Sequence, residues 1–393
     1  MKARNKKNSF LFKLLLTINF VFLVLQLFSM GVLGEFIVIP LLSLAVPLLC
    51  LINIFFFIYW LLRFKWPVFL FLGGLLISFE EWQLFYQLEN KGIPASDGLK
   101  VMSYNVRSFN RFKWLEETKV SSSIEHFISE SKAEVICFQE YAKNEAPKFE
   151  DHPYQIFKPY VENGKIGSCI ISKYPLIKSE AISFEGSLNG GMQSDLIWKK
   201  DTLRIYNLHF ESFRLDSKDS LISSNYSEKI RAKLKTVFKI QNQQVNQFNA
   251  LSKLNSYPEI ICTDLNNNAF SRAYKEIQKT RVDGFLERGA GFGATYDFLN
   301  MPMRIDFIFT SPPYFNIERY SEEETQSWKR YSTPEKWLEG FLFPTLTKCW
   351  SHLSEGGRIC EWDRIHVKWC CLAQTEYRSP YLYSMIRVPR SCC

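Results

Sequence analysis

Val101-Met-Ser-Tyr-Asn-Val-Arg107 is a short β-rich run that stops on an asparagine. Four later runs repeat the pattern of an apolar strand ended or punctuated by a polar side chain. They are Glu134-Val-Ile-Cys-Phe-Gln-Glu140, Ile205-Tyr-Asn-Leu-His209, Cys262-Thr-Asp-Leu-Asn266 and Arg304-Ile-Asp-Phe-Ile308. Their β-branched and aromatic content predicts strands over Leu99–Tyr104, Val135–Phe138, Ser168–Ser172, Leu203–Leu208, Glu259–Cys262 and Arg304–Thr310. Helical spacing appears from Ser121 to Ser131. It returns from Glu228 to Leu254, where Ile230, Leu234, Phe238, Val245, Phe248 and Leu251 recur on one face. Strands interleaved with helices over about 210 residues predict an α/β domain with a sizeable core. In such a fold the polar residues at strand ends gather into one site.

Before that domain the chain is different. Leu14–Gly34 and Phe36–Leu62 are uncharged runs of 21 and 27 residues, and Trp66–Phe79 is a third of 14. The first two exceed the ~20 residues that cross a hydrocarbon core. The third is short enough to be re-entrant or interfacial instead. A cleaved signal peptide is the rival for the first run, but the stretch is longer than an h-region and no cleavage site stands out. The net charge of +8 belongs largely to this end: residues 1–80 hold seven Lys and Arg against two Glu. Cations at Lys2–Lys7, Arg63 and Lys65 place the N-terminus and second turn in the cytoplasm. If the third run spans, the soluble part lies outside. The remaining +3 is poor evidence for a nucleic-acid partner. An apolar content of 47% excludes disorder, and the length excludes a small disulfide scaffold.

Taken one by one, the strand-end residues have ordinary readings. Asn105 and Asp264 could be turn formers or caps, Glu140 a solvated terminus, His209 a structural side chain. Asp306, between Ile305 and Phe307, needs a partner, and Arg304 on the same face at i−2 is the plain candidate. As an ordered set, however, Asn105, Glu140, Asn207/His209, Asp264/Asn266 and Arg304/Asp306 resemble the endonuclease/exonuclease/phosphatase family from about Lys100 to Phe309. Gly167-Ser-Cys-Ile-Ile-Ser-Lys-Tyr-Pro175 and the Gly-rich Gly289–Tyr296 stretch add to the likeness.

The resemblance implies a four-layer α/β sandwich, two packed mixed sheets flanked by helices; the apolar runs place an N-terminal bundle of two to three transmembrane helices ahead of it. The resemblance also implies a phosphoesterase using Mg²⁺, or Mn²⁺ in its place. Glu140 would be the metal ligand with Asn105 as a neutral oxygen beside it. Asn207 and His209 would bind the substrate phosphate, Asp264 and Asn266 would position or deprotonate the attacking water, and Asp306 would orient a catalytic histidine. Too few Cys and His cluster here for a zinc site.

The likeness breaks at its end. The family's closing Ser-Asp-His triplet is missing, and Asp363-Arg-Ile-His366 is its nearest imitation. Thr310-Ser-Pro-Pro-Tyr-Phe-Asn316 and the stretch to Gly357 instead resemble a fragment of a DNA amino-methyltransferase, though no Gly-rich cofactor loop accompanies it. Cys349, Cys360, Cys370, Cys371, Cys392 and Cys393 crowd the last residues without metal spacing. The expected organisation is an anchor at 1–88 (spans near 14–34, 36–62 and 66–79) and a linker at 89–98. A catalytic-type domain follows at 99–310, then a methyltransferase-like fragment at 311–357 and an adventitious tail at 358–393. The expected function is a phosphoesterase held in a bacterial inner membrane with its domain on the periplasmic side. Its partners would be the lipid bilayer and a phosphate ester of nucleic acid or a lipid headgroup. An inactive membrane-anchored module of the same fold is the alternative, and a DNA methyltransferase a weaker one.

Overall fold

A computed structural model describes residues 2–32, 40–88, 98–116, 119–213, 224–298, 301–311 and 384–388. The linker from 89 to 97, the Asp363–His366 imitation, the methyltransferase-like stretch from 312 and the clustered cysteines lie outside the described residues.

Alternating side chains make two mixed sheets that bury both faces. We number the strands β1 Leu99–Asn105, β2 Val135–Ala142, β3 Tyr154–Pro159, β4 Ile166–Ser172, β5 Leu176–Ser183, β6 Gly190–Trp198, β7 Asp201–His209, β8 Glu259–Asp264, β9 Val282–Asp283, β10 Asp306–Thr310 and β11 Ser384–Val388. The first sheet runs β11-β1-β2-β4-β3 and the second β9-β10-β8-β7-β6-β5. Val101, Val135, Cys137 and Ile170 of the first sheet meet Met192, Leu196, Ile205, Ile260, Cys262 and Ile308 of the second. The intervening residues face outward, as the two-residue repeat of a strand requires. Met102, Tyr104, Ile136 and Phe138 pack under Ile124 and Ile128 of the helix Val120–Ser131. Tyr206, Leu208, Ile261, Phe307 and Phe309 pack under Val245 and Phe248 of the helix Ser224–Ser252 and Tyr274 of Arg272–Gln278. The order helix, sheet, sheet, helix is therefore built from four apolar faces.

Register places the site. β1 and β2 are parallel with Asn105 opposite Gln139, which brings Asn105 beside Glu140. β7 and β8 are parallel with His209 opposite Asp264, and β10 runs against β8 with Asp306 opposite Asp264. His209, Asp264 and Asp306 thus form one row across three adjacent strands. Gly167 of β4 is needed for close pairing, since a Cβ there would collide with the Lys158 carbonyl of β3.

Several elements carry no clear sequence pattern, among them three long strands. β3 and β5 are edge strands with exposed positions, and β6 carries Gly190-Gly191 and the buried polar Gln193, Ser194 and Asp195. The buried Asp195 is paired with the Arg204 Nε, which explains how a carboxylate sits inside an apolar strand. β11 also pairs antiparallel with β1, from Ser384 opposite Ser103 to Val388 opposite Leu99, within the segment expected to be adventitious.

The N-terminal segment forms helices within the apolar runs. Among the described residues one helix, over Phe10–Met30, is long and apolar enough to cross a membrane by length and composition. The second run holds a short helix, Pro40–Leu44, and a 17-residue helix, Val46–Leu62; the third holds the ten-residue Val68–Ile77. At 1.5 Å per residue, that last helix covers about half of the ~30 Å hydrocarbon thickness. The helices pack through Phe22 on Phe56 and Phe57 on Phe71, and through a chain of buried amides. Trp60 Nε1 donates to Asn19, Asn19 to Asn53 and Asn53 to Gln26, at 3.0, 3.3 and 2.8 Å. The sandwich docks on one end of these helices. Phe270 packs among Met30, Val46 and Cys50, Asn268 Nδ2 donates to the Ser43 carbonyl at 2.7 Å, and Lys275 Nζ to the Met30 carbonyl at 3.3 Å.

Candidate active site

The last residues of β1, β7 and β8, the first of β10 and Glu140 in β2 converge at one end of the sandwich. β2 does not stop at Glu140. It continues to Ala142 through a bulge, where its register on β4 shifts between Phe138 and Tyr141. Glu140 occupies that bulge with φ +50°, a left-handed conformation that a branched-free carboxylate side chain adopts at a cost of order 1 kcal/mol or more. The bulge turns the carboxylate to the site rather than along the strand. Tyr160 holds it there, its hydroxyl accepting the Glu140 backbone N–H at 3.0 Å while its ring lies 5.5 Å from that of His209. Burial and the nearby Glu140 and Asp264 charges push the Tyr160 phenol up, so it keeps its proton. Tyr160 was not among the expected site residues; it lies past the edge strand that the sequence reading missed.

Asn105 ties the two sheets together. Its Nδ2 donates to Glu140 Oε1 at 3.0 Å and to Asp264 Oδ2 at 2.7 Å, and its Oδ1 accepts the Arg107 N–H at 2.9 Å. Its amide nitrogen therefore faces the carboxylates, whereas the expected ligand role needs the oxygen there. His209 Nε2 lies 3.6 Å from Glu140 Oε1 and 3.7 Å from Asp264 Oδ2. Both of its ring nitrogens are buried without a hydrogen-bond partner, which leaves them for a ligand. Asp264 Oδ1 accepts the Asn266 N–H at 2.8 Å, and Asn266 Nδ2 donates to the Phe210 carbonyl at 3.0 Å. Asn266 takes φ +51°, which asparagine tolerates well.

Asn207 and Arg304 have partners other than the expected ones. Asn207 is fully buried, its Nδ2 donating to the Phe138 and Cys169 carbonyls at 2.9 and 3.0 Å and its Oδ1 accepting from Gln139 at 2.8 Å. Both amide protons are directed to carbonyls between the sheets. Its parity could have shown this, because Asn207 shares a strand face with Ile205 of the inter-sheet core. Arg304 does not pair with Asp306. Its Nη1 binds both oxygens of Asp283 at 3.0 and 2.7 Å, amid the rings of Tyr274, Phe285 and Phe307. Asp306 is instead steadied through its backbone N–H, which donates to Thr295 Oγ1 at 3.1 Å.

The electrostatics fit a cation. Burial raises the Asp264 carboxyl, opposed by His209 and the Asn105 and Asn266 hydrogen bonds, with the Glu140 charge adding to the rise. Burial raises Asp306 further, helped by Asp264 and Glu140. Among the described residues His209 lies within 4 Å of both Glu140 and Asp264, so its imidazole faces two carboxylates. No three His, Cys, Asp or Glu among the described residues close into a metal cage. Hard carboxylate oxygens with few protein ligands suit an ion such as Mg²⁺, which keeps much of its water. Glu140, with a 35% exposed side chain, is the carboxylate open to such an ion.

The profile of the Endonuclease/Exonuclease/phosphatase family matches residues 102–327. No curated protein matches the chain. Among solved structures, the chain is similar to an endonuclease/exonuclease/phosphatase from Bacteroides vulgatus at 12% identity and TM-score 0.49, covering 75% of this chain and 100% of that one. A family protein from Bacteroides thetaiotaomicron matches at 14% identity and TM-score 0.49, covering 75% and 98%. The human Nocturnin catalytic domain, solved with a sulfate anion, matches at 14% identity and TM-score 0.39, covering 55% and 83%.

Proposed function

The chain belongs to the endonuclease/exonuclease/phosphatase family, and from that premise we propose that it is a membrane-anchored, divalent-metal-dependent phosphoesterase. Members of this family are generally phosphate-ester hydrolases that use divalent metal ions. The observation that carries the proposal is the meeting of Glu140, Asp264 and His209 within 4 Å across two sheets, with negative charge left over. Glu140 would hold the ion, with Asn105 fixing the carboxylates rather than ligating. Bound there, the ion would neutralise charge building on the phosphoryl oxygens. His209 would donate a hydrogen bond to a non-bridging oxygen. Asp264, its basicity raised by burial, would accept a proton from the attacking water that Asn266 helps to seat. Asp306 stands behind Asp264, and among the described residues it has no histidine to orient. The sequence's lack of the family's closing Ser-Asp-His triplet favours the second reading, an inactive module of the same fold.

The geometry also supports the anchor topology. The domain docks at the Met30, Ser43 and Val46 ends of the apolar helices, whereas Lys2, Lys6, Lys7 and Arg63 belong to the opposite ends. Basic ends stay cytoplasmic as a rule, and on that rule the domain of an inner-membrane protein would face the periplasm. The full chain in detergent with Mg²⁺, assayed on bis-p-nitrophenyl phosphate, plasmid DNA and sphingomyelin, tests the activity. Turnover abolished by Glu140→Ala and by Asp264→Ala is the expected result. No turnover on any of the three would favour the inactive module.

A further inference from the structure

The tetrapeptide Arg-Phe-Lys-Trp occurs twice, at Arg63–Trp66 and at Arg111–Trp114. The first copy fills the turn between the apolar helices Val46–Leu62 and Val68–Ile77, with Phe64 93% and Trp66 56% exposed. If those helices enter the bilayer, this turn lies in the headgroup layer, where tryptophan and basic side chains are favoured. The second copy is far from any apolar helix in sequence, yet it presents the same chemistry. Phe112 is 57% and Trp114 55% exposed, with the Arg111 guanidinium 5.9 Å over the Phe112 ring and that of Arg107 5.2 Å over Trp114.

The second copy is held in place. Phe109 is buried 5.2 Å from Tyr141, and the Asn110 side chain binds both the N–H and the carbonyl of Leu115, at 3.0 and 2.9 Å. A clamped loop cannot fold its rings away, so water sees apolar area at ~25 cal/mol per Å². Its position is specific too. The loop leaves the end of β1 just after Asn105, and Asn105 is bonded to Asp264. The loop after Asp264 in turn reaches the apolar helices through Asn268 and Phe270. Both loops therefore leave the same end of the sandwich, the end that carries the site.

We propose that Arg111–Trp114 is a second membrane contact, seated in the headgroup layer of a leaflet containing anionic phospholipid, and that the site acts on a phosphate ester borne by that leaflet. The cations match lipid phosphates and the rings match the interface. The substrate part rests on the phosphoesterase reading above, and the contact itself on the anchor reading.

The full chain in nanodiscs of phosphatidylcholine and phosphatidylglycerol, with bromine near the headgroup end of the acyl chains, gives the test. Trp66→Phe and Trp114→Phe should each lose part of the bromolipid quenching of tryptophan fluorescence. Undiminished quenching in Trp114→Phe, with a loss in Trp66→Phe, overturns the second contact. No loss in either overturns the anchor reading as well. Quenching of Trp114 by single-stranded DNA and not by lipid would overturn it in favour of base stacking. In the Phe112→Ala/Trp114→Ala double variant, turnover of a bilayer-borne phosphodiester should fall about tenfold or more, the scale of losing ~1.4 kcal/mol of interfacial binding. Turnover of soluble bis-p-nitrophenyl phosphate should be unchanged. Equal losses on both substrates overturn the substrate claim. If even the wild type turns over neither, the phosphoesterase reading and the substrate claim both fall, and quenching decides the membrane contact.

Discussion

The strand β8 carries a buried acid at each end, and the two are treated differently. Glu259, at its start, is fully matched: Arg281 Nε binds Oε1 and Ser252 Oγ binds Oε2, both at 2.7 Å. Asp264, at its finish, faces Asp306, Glu140 and a single imidazole. The first is a closed ion pair that fastens the helix Ser224–Ser252 and the Arg281 turn to the sheet. The second leaves negative charge for something outside the chain to balance. Folded proteins are stable by only ~5–15 kcal/mol, so such a cluster is tolerated where a ligand offsets it.

Breaking each end separates the two roles. Asp264→Asn should lower turnover by ~10²–10⁴-fold, the range for a general base, and leave thermal stability unchanged or higher. Arg281→Met should do the reverse. Leaving Glu259 buried and unpaired should cost ~3–5 kcal/mol in denaturant unfolding, with turnover per folded molecule intact. If Arg281→Met lost activity without stability, the contrast between the two ends would fail.

Metal binding should act only at the Asp264 end. A divalent ion at a hundred times its dissociation constant should add about 2.7 kcal/mol of stability by linkage, and melting temperature reads it. Glu140→Ala should abolish that gain, while Arg281→Met should keep it. The smallest effect concerns pH. Because Asp306 has a folded-state pKa raised above its unfolded one, its contribution is present at low pH and lost as pH rises through the folded value. Asp306→Asn should therefore match the wild type in acid and overtake it by ~1 kcal/mol or more toward alkaline pH. A constant difference across the titration would contradict this.

Much of the site was legible because buried strands advertise their polar ends. Asn105, Glu140, His209, Asp264 and Asp306 each interrupt an apolar run, and a layered fold brings such interruptions to one edge. What escaped was set by tertiary partners. Arg304 seemed paired to Asp306 because i−2 neighbours share a strand face, but strand β10 begins at Asp306. Arg304 precedes it and reaches Asp283, in a two-residue strand too short to read from sequence. Asn207 went to the core because Phe138, Cys169 and Gln139 of the opposite sheet needed its amide. The bulge at Glu140 depends on pairing with β4 and left no local signal. The edge strands β3 and β5 expose too much to show an apolar pattern. The apolar runs near the N-terminus were plain, yet the helices Val46–Leu62 and Val68–Ile77 are shorter than the second and third uncharged stretches that contain them.

In the proposed function Glu140, in the carboxylate cluster at the end of the sandwich, holds a divalent ion needed to hydrolyse a phosphate ester. The most direct measurement is Mg²⁺ titration of the EDTA-stripped full chain, following bis-p-nitrophenyl phosphate hydrolysis in wild type and Glu140→Ala side by side. We predict hydrolysis that returns with Mg²⁺ in the wild type and stays absent in Glu140→Ala. Equal hydrolysis by the two proteins, or hydrolysis that persists in EDTA, would contradict it.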